Sequence, residues 1–179
     1  MKRLQYYLVI ATLGLACAAL SARAQTESAP DDYGLWMSAG VGAAERGLAA
    51  AGVSGWFTAH RIAFGGRLSD AETPVAFAAS GAKSVIESSV MLGWLVTTPR
   101  SPVSVLLAGG YSALQRSSVH TQSQIIEESF RDHGPTVHGE IGRRLTRHIG
   151  IGLGIFGITG RKTSHVAGTL GIRIGRLPQ

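Results

Sequence analysis

Cysteine is nearly absent: Cys17 is the only one, and it lies in an apolar run near the N-terminus. Downstream of that run no disulfide can brace the chain, so stability must come from a core or a closed sheet. Long apolar stretches are scarce as well. After residue 24 none approaches the roughly eighteen to twenty residues of a membrane-spanning helix, and no amphipathic helical period persists, which excludes a helical fold. HExxH, CxxC, P-loop and GxSxG motifs are all missing, and with them the signatures of zinc peptidases, thiol redox proteins, nucleotide-binding proteins and serine hydrolases. The stretches GVGAAERG and GIGLG are glycine alternation in strands rather than phosphate cradles. Acidic residues are few, 11 against 17 lysines and arginines, for a formal charge of +6. Lys2, Arg3 and Arg23 supply three of those charges and the first 24 residues hold no acid, so the remainder carries +3. That excess is too small to indicate nucleic-acid binding.

The N-terminus has its own pattern. Lys2 and Arg3 precede an apolar run from Leu8 to Leu20, and Ala22-Arg23-Ala24 places small residues where signal peptidase reads them. Residues 1–24 are expected to be a secretory signal peptide, residues 25–32 a polar leader beginning at Gln25, and residues 33–179 a single domain. Cleavage there removes Cys17; Leu15 stands one position too close to it for a lipobox.

What the chain has in abundance is glycine, 24 residues, much of it alternating with apolar side chains. Ile149, Ile151, Leu153 and Ile155 alternate with Gly150, Gly152 and Gly154. After a polar turn at Gly160 to Ser164, Val166, Leu170, Ile172 and Ile174 stand opposite Ala167, Thr169, Gly171, Arg173 and Gly175. The same period of two marks 33–42, about 49–59, 62–68, 84–97, 103–113 and about 136–146, which predicts an all-β fold of eight strands. A soluble sheet packed on a core has such faces, and so has a membrane barrel with lipid outside and a tight polar lumen. Connections two, four and six are short, at His60-Arg61, Thr98 to Pro102 and Arg147-His148; the third and the fifth, Leu114 to Pro135, are long and polar. An even strand count puts both termini at the short-turn end.

With these features, Tyr33 to Arg176 resembles the small eight-stranded bacterial outer-membrane barrels of the OmpA/OmpX type. The resemblance implies an antiparallel up-and-down transmembrane β-barrel in the outer membrane, monomeric and without a cofactor. Its partners would be outer-membrane lipids, and lipopolysaccharide or an external partner met through the 114–135 loop. The sequence departs from that family at Gly175-Arg176-Leu177-Pro178-Gln179, which has no terminal aromatic.

Within that frame Tyr33, Trp36, Trp56 and Trp94, with Phe57, fall near the short-turn end and are expected to form an aromatic girdle. Arg61, Arg100, Arg143, Arg147 and Arg176 gather there as a periplasmic basic rim. A barrel this narrow is filled by side chains and leaves no wide pore. Inward parity holds Arg67, Glu87, Glu140, Arg144 and Arg173, expected to form an interior ion-pair network, with the glycine column of strand seven leaving room for long side chains to cross. No catalytic or metal residues are assigned. The enzyme alternative, a lipid A-modifying hydrolase or acyltransferase, would draw on Ser117, Ser118, His120, Ser123, Glu127, Glu128 and His133. His120, His133, His138 and His165 follow no metal-ligand spacing. A soluble periplasmic lipocalin-like binder is the third reading.

Overall fold

The computed structural model describes residues 33–74, 82–97, 101–119 and 127–178. The signal-peptide and leader segments and Arg100 lie outside them. Eight antiparallel strands close in sequence order into a barrel: β1 (Tyr33–Ala44), β2 (Ala49–Ala59), β3 (Ile62–Glu72), β4 (Ala82–Thr97), β5 (Val103–Val119), β6 (Glu127–Arg144), β7 (Ile149–Thr159) and β8 (Ser164–Arg176). The seam pairs β1 with β8 from Leu35↔Arg176 to Ala44↔Ala167.

Period-two alternation explains which way each strand faces. Along β7 Ile149, Ile151, Leu153 and Ile155 are exposed while Gly150, Gly152, Gly154, Phe156 and Ile158 are buried. Val90, Leu92 and Trp94 on β4, Leu107 and Tyr111 on β5, and Leu170, Ile172 and Ile174 on β8 each expose more than half of their surface. In water this exterior would aggregate; a continuous apolar belt around a closed ring is a lipid-facing surface. The 11 residues of β7 extend about 36 Å and, tilted as barrel strands are, rise about 27 Å, close to the roughly 25 Å apolar band of such barrels.

The interior is stratified. At the short-turn end Trp36, Trp56, Ala63, Met91, Leu95, Leu106, Ala108 and Leu177 form one apolar cluster. At the opposite end Leu48, Ala50, Ala71, Val85, Leu114, Phe156, Ile158 and Ala167 form another. The charged layer lies between them.

Two sequence-based expectations change here. Trp36 and Trp56 are fully buried and pair across β1 and β2, so they fill the lumen and do not belong to a girdle. The cause is parity: Leu35 and Phe57 take the outward positions beside them. Trp56 finds space because its neighbour across the ladder is Gly65, where a Cβ would meet the indole, and its Nε1 donates to Ser54 Oγ at 3.1 Å. The fifth connection is also largely strand. Seventeen residues of β5 and 18 of β6 pair from Val103↔Arg143 to Val119↔Glu127, carrying the wall beyond the apolar belt as an extended hairpin. Strand β3 likewise runs on to Glu72.

Candidate functional site

The charged layer is built on a row of glycines. Gly142, Gly152, Gly171, Gly40 and Gly52 stand in register across β6, β7, β8, β1 and β2. Each occupies an inward position, so five of the eight strands present backbone at this level where other levels present side chains. Long side chains from the remaining wall and from β6 and β8 lie across that space. A Cβ at Gly142 would fall within the Arg173 guanidinium, and one at Gly152 would come 2.6 Å from Glu140 Oε1.

Arg67 Nη2 donates to Glu87 Oε1 at 2.6 Å, and Ser112 Oγ and Ser69 Oγ donate to the same carboxylate at 2.7 and 3.2 Å. Arg173 Nε donates to Glu140 Oε1 at 2.6 Å, its Nη1 to Ser104 Oγ at 2.8 Å. His138, missed as a member of this layer from sequence, joins the two pairs: Nδ1 lies 3.1 Å from Arg67 Nη1 and Nε2 lies 3.3 Å from Glu140 Oε2. A guanidinium only donates, so Nδ1 is the acceptor and the ring proton sits on Nε2, aimed at Glu140. The imidazole stacks on Trp56, centroids 5.4 Å apart, and the Arg67 guanidinium lies 3.5 Å over the Phe156 ring. One chain of polar contacts therefore runs Glu87–Arg67–His138–Glu140–Arg173–Ser104, linking five strands.

Arg144 stands apart from this chain. It is in register with Arg173 across Gly150, and two like charges at one level turn in opposite directions. Arg173 reaches Glu140, whereas Arg144 Nη1 donates to the Pro178 carbonyl at 3.4 Å. Glu140 itself is four residues along the same strand, about 13 Å away.

Between the ionic groups is a cavity of about 30 Å³ lined by Arg67, His138, Glu140 and Arg173, room for about two waters. Arg67 Nε and Arg173 Nη2, buried and without a protein partner, border it. A passage through the barrel would have to cross both apolar clusters and this layer.

At the short-turn end Tyr33 and Phe57 stack outside the barrel at 6.2 Å and Trp94 is 52% exposed. Arg61, Arg143 and Arg147 are exposed at that end and Arg176 is partly buried. The opposite end carries cations too, Lys83, Arg131, Arg161 and Lys162, so the two ends do not differ simply in sign.

The end opposite the short turns is tied together by Asp132, which no sequence signal marks because its partners are 29 to 31 residues away. Its Oδ1 accepts the backbone N–H groups of His133 and Arg161 at 2.9 and 3.2 Å, its Oδ2 those of Lys162 and Thr163 at 2.8 and 3.1 Å. Arg116 reaches the same turn, donating to Thr163 Oγ1 at 3.0 Å, and lies 3.8 Å from Glu45. The backbone N–H of Lys162, followed by the others, holds the Asp132 carboxyl below its ordinary value of 3.8 against a desolvation that would raise it. A carboxyl more acidic folded than unfolded stabilises fully above its unfolded pKa and loses that contribution as pH falls through the folded one. Hydrogen exchange should therefore show the 161–163 amides protected near neutral pH and released in acid. Asp132→Ala should remove the protection at every pH, and protection that is equal in wild type and variant would contradict this.

Among the described residues no group of three or more His, Cys, Asp or Glu side chains could hold a metal ion. The His133 and Tyr111 rings lie 5.9 Å apart, tilted by 40°. His120 and Ser123 lie outside the described residues.

Closed antiparallel strands in sequence order, an apolar exterior and a packed polar interior define a class, the small outer-membrane type of β-barrel. Solved structures of that class are similar to this chain in fold. Neisserial surface protein A superimposes with a TM-score of 0.56 at 14% identity, covering 80% of this chain and 97% of that one. Ail, the attachment invasion locus protein of Yersinia pestis, gives 0.58 at 9% identity, covering 79% and 97%, and it has also been solved in complex with the heparin analogue sucrose octasulfate. The N-terminal β-barrel domain of Pseudomonas aeruginosa OprF gives 0.60 at 11% identity, covering 80% and 96%. No family model and no curated protein sequence matches the chain.

Proposed function

We propose that the chain is an outer-membrane protein whose barrel serves as an anchor and whose β5–β6 hairpin is a contact surface on the outside of the cell, not a diffusion pore. The observation behind this reading is the lumen: apolar clusters stop it at both levels, while the β5–β6 hairpin, flanked by β4, continues past the apolar belt on the side away from the short turns. In this reading residues 1–24 direct export and are removed, leaving Gln25 first. Tyr33, Phe57 and Trp94, with Arg61, Arg143 and Arg147, seat the lower edge among inner-leaflet headgroups. The ionic layer holds the lumen closed.

Fractionation together with protease accessibility tests the reading. The protein should sediment with outer membranes, and proteinase K added to intact cells should cut within 114–135 while sparing the turns at Arg61 and Arg147 until the membrane is permeabilised. Cleavage of those turns in intact cells, or recovery in the soluble periplasmic fraction, would overturn it.

A further inference from the structure

The outer end of the barrel is laterally polarised. On the outward column of β6, Val137 and Pro135 belong to the apolar face, and His133 and Arg131 follow, all of them exposed. The change from apolar to cationic takes place within about 13 Å of strand. The β7–β8 turn is drawn against the same strand by the Asp132 carboxylate, whose oxygens accept the turn's N–H groups. Exposed Arg161 and Lys162 are thereby brought beside Arg131 and His133. Among the carboxylates whose side chains the structure describes, none pairs with these four side chains. Tyr111, 57% exposed, flanks His133 at the top of the belt. The matching outward positions on β3 are acidic, Asp70 and Glu72. Rim hydration alone would be served by either sign in either sector.

A second feature lies directly below. Outward-facing Gly139, Gly157 and Gly168 interrupt the lipid face of β6, β7 and β8. A Cβ at any of them would make only ordinary contacts, at 3.5 to 3.7 Å, so nothing inside the barrel requires glycine there. Gly157 is in register between Val137 and Val166, and the result is a shallow furrow in an otherwise bulky apolar surface, leading up to the cationic cluster.

We infer that the cluster and furrow together form a site for one phosphorylated glycolipid of the surrounding outer leaflet. Arg131, Arg161 and Lys162 meet its phosphomonoester groups, Tyr111 marks the interface, and an acyl chain lies over Gly157 and Gly139. Guanidinium groups suit phosphate because their N–H forks match its oxygens, and a headgroup held at this height leaves its chains alongside the belt. The inference rests on the membrane reading above and gives it a specific lipid partner and location.

The test uses the folded full chain in a non-ionic detergent, titrated with bis-phosphorylated lipid A, with the same lipid dephosphorylated, and with inorganic phosphate, bound ligand being counted by native mass spectrometry. Wild type should retain one bis-phosphorylated lipid A. The triple variant Arg131→Gln, Arg161→Gln, Lys162→Gln should bind it about a hundredfold more weakly at low ionic strength, each cation near an anionic headgroup contributing roughly a factor of five. Dephosphorylated lipid should be retained no better by wild type than by that variant. Inorganic phosphate at equal concentration should fail to displace the lipid, since it lacks the acyl contact; displacement would reduce the site to one for free phosphate and overturn the lipid assignment. Gly157→Leu, which fills the furrow without touching a charge, should weaken binding while leaving folding intact. Arg61→Gln, Arg143→Gln, Arg147→Gln at the other rim should reduce retention far less than the outer triple variant does. Equal retention by wild type and the outer triple variant, or an equal loss from the other rim, overturns the site. A chain that shows no folded, heat-modifiable form in detergent overturns the membrane reading and the site with it, whereas a folded barrel indifferent to lipid phosphates overturns the site alone.

Discussion

Glu87→Leu is expected to destabilise the barrel by about 3 to 5 kcal/mol, the cost of leaving a buried charge without its partner. Glu87 is fully buried and Arg67 5% exposed. The carboxylate receives Arg67 at 2.6 Å together with Ser69 and Ser112. Without it the guanidinium keeps only His138 and the Phe156 face, and two serine hydroxyls lose their acceptor. Removing both charges, as Glu87→Leu with Arg67→Met, should recover most of the loss, because a well-packed apolar pair avoids the desolvation that the ion pair has to offset. Equilibrium urea unfolding of the folded barrel in bilayers measures both. A single variant within about 1 kcal/mol of wild type would show that the layer is hydrated and not a sealed ionic core.

The second large effect is on the outside. Leu170→Arg should cost about 2 to 4 kcal/mol in a bilayer, the range for a cation on the lipid face near the midplane. Leu153 is its partner in the β7–β8 register, and the two are 60% and 62% exposed, so Leu153→Arg should behave alike. A charge at either position would lose its hydration to hydrocarbon and could not be shielded by the glycine-lined interior. Unfolding energies unchanged for both would mean that this face does not meet lipid.

The membrane-spanning part of the barrel was legible in the sequence because lipid imposes an apolar residue at every second position. Ile149 to Ile155 and Val166 to Ile174 announce both the strand and the direction each residue faces. Above the belt that constraint ends. Gln115 and Ser117 on β5, and Arg131 and His133 on β6, continue the same ladder, but their outward positions meet water, and alternation of apolar residues vanishes while the strands continue. The apolar pattern therefore stops where the lipid stops. Trp36 and Trp56 show a different limit: residue type suggested an interface anchor, whereas strand parity places them inside, and parity governs.

The charged layer was legible in part. Inward parity brought Arg67 together with Glu87, and Glu140 together with Arg173, because the alternating apolar pattern of each strand restricts the register. Arg144 shares that parity, but its level with Arg173 across Gly150 sends it toward Pro178, a consequence of pairing that parity alone does not contain. His138 and Asp132 were missed for the same reason: their roles depend on partners far along the chain, including Arg67, 71 residues away from His138.

Which face of the sheet meets lipid is the central claim, and the three tryptophans measure it. Trp94 is on the outward face, Trp36 and Trp56 are in the lumen. Folded into vesicles whose acyl chains carry bromine, the protein with Trp36→Phe and Trp56→Phe should have its fluorescence strongly quenched, while Trp94→Phe should be nearly insensitive to the brominated lipid. Equal quenching of the two proteins, or quenching of the lumenal pair alone, would contradict the assignment of inside and outside.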